Sequence, residues 1–453
     1  MKRRVDMESK IITLSNVYSK NLNNVRDIFV YLPPSYDISI TDRYPVLYAH
    51  DGQHIFAADH KGGSWNVHAT VDRLSRESLM REIIVVAVSS ISDQRVSEYF
   101  HDNPGVSETF HAKCSGEVYE RFLVEEVKPL IDNTFRTLPD RDNTAIIGSS
   151  AGGLVSYHIG FRRPDVFGHV GILSPFFVHT VVKEAESALE QNEDPISKLP
   201  IYEKFSTKPP IRIWLDIGGA EGLLMVEDVR EAADRLVDQG FKPGNDLMFL
   251  LDPEAGHTQQ DWANRMASPL LYFFGRIGKP ASLEMLGRRK IGLNGRSACL
   301  YPNVTYDSGF RTSLLEAEYS VDRPEILSIA SDGRVTPLSI GEAKITVRFG
   351  GLEHSVGIEV VQELSDRVEI EFSVEVPPST PVNAPIHAGL EIPKKKDGLY
   401  QGRFQLPRDL IFDVKVSRGF GFHEKRGSSR RFSTSESQSL HFVVEEWEPD
   451  ELD

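Results

Sequence analysis

Thr144-Ala-Ile-Ile-Gly-Ser-Ser-Ala-Gly-Gly-Leu154 is the stretch on which the reading of this chain turns. Its first residues form an apolar, β-prone run. Gly148-Ser149-Ser150-Ala151-Gly152 follows at once, ahead of a helical pattern that begins at Gly153. A Gly-x-Ser-x-Gly in that setting makes a sharp strand-to-helix turn, with glycines where strand and helix approach and the central serine exposed at the carboxyl edge of a sheet. The register makes Ser150, not Ser149, the candidate nucleophile. A serine hydroxyl is a weak nucleophile at neutral pH, so a histidine and an acid are expected further along the chain, each beyond a later strand.

Outward from this turn, apolar runs alternate with amphipathic stretches from about residue 25 to about residue 278. Val46-Leu-Tyr-Ala49, Ile83-Ile-Val-Val-Ala-Val88, Val170-Gly-Ile-Leu173, Ile211-Arg-Ile-Trp-Leu215 and Leu247-Met-Phe-Leu-Leu251 read as strands covered on both faces. Glu117 to Asp132 and Val226 to Gly240 carry apolar residues at helical spacing, and Gly240 is placed to end the second helix. This is the pattern of an α/β fold with a mostly parallel central sheet. After Gly278-Lys-Pro280 the helical periodicity stops, and short β-like runs separated by turns take over. The expected organisation is a catalytic α/β domain over 1–280 and two small all-β sandwiches over 281–363 and 364–453.

The partners of Ser150 follow from chain order. Gly256-His257-Thr258 lies just past the last strand of the α/β region, where the base is expected, and this singles out His257 among the histidines. Gly218-Gly219-Ala220-Glu221-Gly222 is the exit loop of the strand before it, which makes Glu221 the candidate acid. Asp216 sits within that strand and is expected to make a structural hydrogen bond, while Asp252 lies too close to the histidine loop to be preferred. A tetrahedral oxyanion needs two backbone N–H donors. Ala151, next after the nucleophile, supplies one, and Gln53 in His50-Asp51-Gly52-Gln53 the other. A metal cluster of His50, Asp51 and His54 is not required, since the serine, histidine and acid account for the loop; no metal or other cofactor is expected.

Composition narrows the partners. With 40% hydrophobic and 26% charged residues the 453-residue chain has an ordinary globular balance. A net charge of -15 disfavours polyphosphate and anionic membrane surfaces, so neither nucleic acid nor membrane is an expected partner. Two cysteines make no disulfide framework. Met1-Lys-Arg-Arg4 continues into polar residues rather than an apolar run, and a cytoplasmic location is the expectation.

The motifs together carry a resemblance. Tyr44-Pro-Val-Leu-Tyr-Ala-His-Asp-Gly-Gln-His-Ile-Phe56, Gly148-Ser-Ser-Ala-Gly-Gly153, Trp214-Leu-Asp-Ile-Gly-Gly-Ala-Glu-Gly222 and Gly256-His257 with Trp262 resemble the putative-esterase branch of the α/β-hydrolases. That branch takes in esterase D-like, enterochelin-esterase-like and carbohydrate esterase family one enzymes. The resemblance covers roughly residues 25 to 278 and includes Arg95 with Glu98-Tyr99. It implies a metal-free serine carboxylic-ester hydrolase with Ser150, Glu221 and His257 at the family positions, and Trp262 and Arg95 near substrate. Gly219 stands where many members carry threonine. Tyr319 to Val347 is similar to group-two bacterial Ig-like domains, and the final segment to a shortened starch-binding domain in which only Trp447 remains for stacking on a sugar. The expected substrate is a small or sugar-linked ester. A catecholate-siderophore trilactone, and a non-catalytic carbohydrate-binding or adhesion scaffold, stand as alternatives.

Overall fold

The computed structural model describes residues 8–57, 63–223, 226–295, 298–419 and 422–448. Residues 1–7, on which the reading of the N-terminus partly rests, lie outside them. Six apolar runs form the parallel centre of one large sheet: β3 (Val46–Ala49), β4 (Ile84–Val88), β5 (Thr144–Ser150), β6 (His169–Pro175), β7 (Arg212–Gly218) and β8 (Leu247–Asp252). A hairpin of β1 (Lys10–Ser19) and β2 (Asn24–Leu32) adds an antiparallel edge beside β4.

Successive side chains of a strand point to opposite faces, and here both faces are covered. Val46 and Tyr48 enter the apolar cluster that holds Leu154, Val155 and Leu236, whereas Leu47 and Ala49 enter the one that holds Val71, Trp262 and Leu270. The covering helices include α1 (Ala151–Arg162), α2 (Val226–Asp238) and α3 (Gln259–Arg265). The single helix expected over 117–132 is a composite: α-helical over Gly116–Arg121, π-helical over Phe122–Val127, α-helical again over Lys128–Thr134. Pro129 brings no N–H to that ladder, which accounts for a widened turn just before it.

The sheet does not stop at position 280. Three further strands, β9 (Pro280–Leu286), β10 (Tyr301–Tyr306) and β11 (Arg311–Ser313), extend it to eleven in the order β1-β2-β4-β3-β5-β6-β7-β8-β11-β10-β9. β11 pairs antiparallel with β8, and the Ser313 hydroxyl and Asn303 amide bind the Leu251 backbone. An open β8 edge would leave a row of unpaired backbone groups, and these strands cover it.

The rest of the chain is all β. A four-stranded and a three-stranded sheet enclose Leu300, Leu327, Val335, Ile345, Val347 and Ile358. Beyond them Arg367–Glu375 pairs with Leu399–Pro407 and Gln438–Val443, its burial alternating residue by residue as its period-two sequence requires. This C-terminal module is centred on Phe372, Phe404, Phe432 and Phe442 and includes the antiparallel pair β12 (Ile411–Val414) and β13 (Arg430–Ser433). Trp447 is buried in it and donates its indole N–H to Thr380 at 2.9 Å, so it presents no open face to a sugar. Among the described residues no helix is long and apolar enough to cross a membrane.

Candidate active site

Ser150 ends β5 and precedes α1 with φ 57° and ψ -123°, a backbone conformation that costs a non-glycine residue on the order of 1–3 kcal/mol and persists only where its surroundings enforce it. The neighbouring glycines show how they do. A Cβ on Gly148 would lie 2.5 Å from the Gly152 carbonyl carbon and 2.8 Å from the His50 ring, and one on Gly153 3.0 Å from the Leu173 carbonyl oxygen. Side chains there would prise strand and helix apart and let the turn relax. Ser150 is partly exposed, as the motif requires.

His257 follows β8 and stands one residue before the cap of α3. Thr258 caps that helix by accepting from the Asp261 N–H at 3.2 Å, and the Asp261 carboxylate in turn accepts from the Gly256 N–H at 3.1 Å and from the Thr258 hydroxyl at 2.6 Å. The loop is thus held on both sides of His257. His257 Nδ1–H donates to Glu221 Oε2 at 2.8 Å, which fixes the tautomer and leaves Nε2 as the basic nitrogen. The histidine side chain is 32% exposed and the glutamate side chain 0%, so Glu221 lies behind His257 and away from solvent. Among the described residues the Ser150 hydroxyl holds no hydrogen bond, to His257 or to any other side chain. Such contacts commonly tighten only when substrate is bound.

Glu221 rests on a buried network that sequence reasoning did not find. Its Oε1 accepts from the Gly218 N–H at 2.7 Å and from the Ser174 hydroxyl at 2.6 Å. Ser174 accepts from Trp262 Nε1–H at 3.0 Å and from Arg265, and Arg265 pairs with Asp216 at 3.0 Å and lies 3.6 Å from Glu221. Asp216 also takes the Trp214 indole N–H at 2.7 Å, which makes it structural as expected, and burial raises its carboxyl above the usual range despite Arg265. One signal for this network exists in the chain: Trp262, Arg265 and Met266 lie three and four apart, so Arg265 sits on the apolar stripe of its helix. Ser174, at the end of an apolar strand, carries no motif.

Trp262 packs its ring edge-on to His257 at 4.9 Å, is 5% exposed, and gives its N–H to Ser174. The loop after β3 packs against the nucleophile turn, tied by the His50 N–H to the Ile147 carbonyl at 3.1 Å. Gln53 sits in its 3-10 turn, Gly52–His54, with its side-chain amide locked to Ser90 at 2.8 and 3.2 Å. Ala151 is buried as the first residue of α1, where helix geometry leaves its N–H without an intrahelical partner. Arg95 grips Asp51 with both arms, at 2.7 and 2.8 Å, and lies over the Tyr99 ring. Its fork is engaged in holding this loop. Burial would raise the Asp51 carboxyl, but Arg95 outweighs it and holds that carboxyl down to about 2. His50 is buried, which pulls its imidazole down to about 4, and its Nδ1 meets the Tyr119 hydroxyl at 2.9 Å.

The family model described as "Putative esterase" matches residues 19–273. An uncharacterized protein of Bacillus subtilis (strain 168), YjcH, is 29% identical over 193 residues, 42% of this chain and 70% of that protein. An endo-1,4-beta-xylanase/feruloyl esterase of Xylanibacter ruminicola is 29% identical over 178 residues, 38% of this chain but 22% of that protein. Among solved structures, a ferulic acid esterase shares 22% identity over 59% of this chain and 98% of its own, with a TM-score of 0.43. The enterobactin esterase of Shigella flexneri shares 17% identity over 59% of each chain, with a TM-score of 0.42.

Proposed function

The chain belongs to the putative esterase family, and on that premise we propose that it is a serine carboxylic-ester hydrolase working through an acyl-enzyme. The observation that carries the reading is the 2.8 Å bond from His257 Nδ1–H to the buried Glu221 carboxylate, in a fold whose Gly-x-Ser-x-Gly turn holds Ser150 at positive φ. In this reading Ser150 Oγ attacks the ester carbonyl while His257 Nε2 takes its proton. The C–O bond to the alcohol then breaks, and the imidazolium returns the proton to the departing alkoxide. Glu221 steadies the imidazolium. Water, deprotonated by the same nitrogen, releases the acid. The Ala151 and Gln53 N–H groups are assigned to the oxyanion and Arg95 to holding the loop that presents Gln53.

The favoured substrate is a sugar-linked ester. The matching region of the Xylanibacter ruminicola protein belongs to an enzyme named as a xylanase and feruloyl esterase, which supports this class. The siderophore alternative is separable by assay. Purified protein is tested on acetylated and feruloylated oligosaccharides, a ferric catecholate trilactone and p-nitrophenyl esters, with Ser150→Ala as blank. Turnover of feruloylated or acetylated sugar above the other classes, absent from Ser150→Ala, is the expected result. Preference for the trilactone moves the substrate assignment, and equal turnover by Ser150→Ala removes the mechanism.

A further inference from the structure

The C-terminal module touches the candidate acid itself. β12 lies antiparallel to the acid loop: the Gly222 N–H donates to the Ile411 carbonyl at 2.9 Å and the Asp413 N–H to the Ala220 carbonyl at 3.0 Å, with Glu221 and Phe412 as the paired residues between them. The backbone of Glu221 is therefore clamped on both sides by a strand 190 positions further along the chain, a span read from 221 to 411.

Phe412 makes this clamp specific. It is fully buried, stacks on Phe432 at 4.5 Å, and its ring fills the space that a Cβ on Gly222 would enter, 2.5 Å away. Gly222 has φ 61°, so a bare glycine is required there by conformation and by contact alike. The base loop is held from the same side. Arg431 of β13 pairs with Glu254 at 2.6 Å, and the Asp413 side chain lies 3.4 Å from the Cβ position of Gly256, next to His257. The acid and base loops are themselves joined by the Ala220 N–H on the Ala255 carbonyl at 2.9 Å. Gly219 and Gly222 also border a cleft of about 1030 Å³ between the sheet and the two β modules.

We propose that β12 of the C-terminal module is a positioning element of the active site, with Phe412 as the residue that holds the Glu221 loop on His257. The inference rests on the reading of Glu221 as the acid. The module then belongs to the catalytic apparatus whether or not it binds a ligand of its own. Phe412 does not touch the reacting atoms. It acts through Glu221.

The test uses full-length protein with two readouts: kcat and KM on p-nitrophenyl acetate, and the downfield Nδ1 proton resonance of His257, assigned by its loss in His257→Gln. In Phe412→Ala, kcat is expected to fall about 10- to 100-fold, the scale of a misplacement near 1 Å, with KM within about twofold and the resonance broadened or lost. Phe412→Leu, which refills the space, restores both. A folded Phe412→Ala with wild-type kcat and an unchanged resonance overturns the proposal. Where Phe412→Ala does not fold, the milder truncation Phe412→Val, which keeps the backbone pairing of β12 with the acid loop, takes its place. Wild-type kcat and resonance in that variant overturn the proposal equally, and their loss supports it. If the wild-type chain cleaves no ester, the hydrolase reading fails, yet the resonance still reports whether the His257–Glu221 bond depends on Phe412, and its persistence in the variants overturns the positioning role.

Discussion

The Ser150 turn and the loops carrying Glu221 and His257 lie at the same edge of the sheet but are built by opposite means. The turn is specified by about ten consecutive residues: Gly148 lets β5 close on Gly152 of α1, and Gly152 and Gly153 let that helix approach the loop after β3 and strand β6. The loops carrying Glu221 and His257 are held from afar, by Ser174 of β6, by Arg265 of α3 through Asp216, and by β12 of the C-terminal module. Local construction fixes a strained backbone cheaply, because the strand and helix on either side are already rigid. A buried carboxylate has to be held by groups that neutralise and hydrogen-bond it, and those come from wherever the fold brings them.

Each side of this contrast can be broken separately. Glu221→Gln keeps the shape of the acid but removes its charge, and kcat is expected to drop by about 10⁴-fold, the scale seen when the orienting acid of a triad is neutralised. Steady-state kinetics with unchanged thermal unfolding checks this. Arg265→Leu removes the cation between Asp216 and Glu221 and leaves two buried carboxylates uncompensated, an expected loss of about 3–5 kcal/mol in denaturant unfolding. On the local side, Gly148→Ala drives a methyl into the Gly152 backbone and the His50 ring, with an expected loss of about 1–3 kcal/mol. Its activity should fall further than its stability, since the serine itself is displaced.

The smallest effect concerns the loop after β3. The Asp51 carboxyl is held down to about 2 in the folded chain by Arg95, below its unfolded value of about 3.9, so the folded state binds fewer protons between those values. Its stabilisation, roughly 2 kcal/mol, is complete above the unfolded value and is lost as the pH falls through the folded one. Asp51→Asn is therefore expected to cost that amount at pH 7 and almost nothing near pH 2, by urea unfolding across the pH range. A cost independent of pH would assign the effect to packing instead.

The same contrast explains what was legible in the sequence. The strands from Val46 to Leu251, the Ser150 turn, and the loop positions of His257 and Glu221 could be read because each depends on a short run or on chain order. Ser174 and Arg265 could not be placed, since their role exists only once β6, β7 and α3 are side by side. The continuation of the sheet through β9, β10 and β11 was equally hidden. Short strands after Pro280 read the same whether they pair with one another or with β8, because register across a sheet is a long-range choice. The pairing of β12 with the acid loop is the extreme case.

The measurement that bears most directly on the hydrolase reading is covalent labelling of the intact chain with a fluorophosphonate, followed by peptide mapping. The expected result is a single adduct on Ser150, absent from Ser150→Ala and formed much more slowly by Glu221→Gln. A chain that hydrolyses esters yet carries the adduct elsewhere, or labels as fast without Glu221, would contradict it.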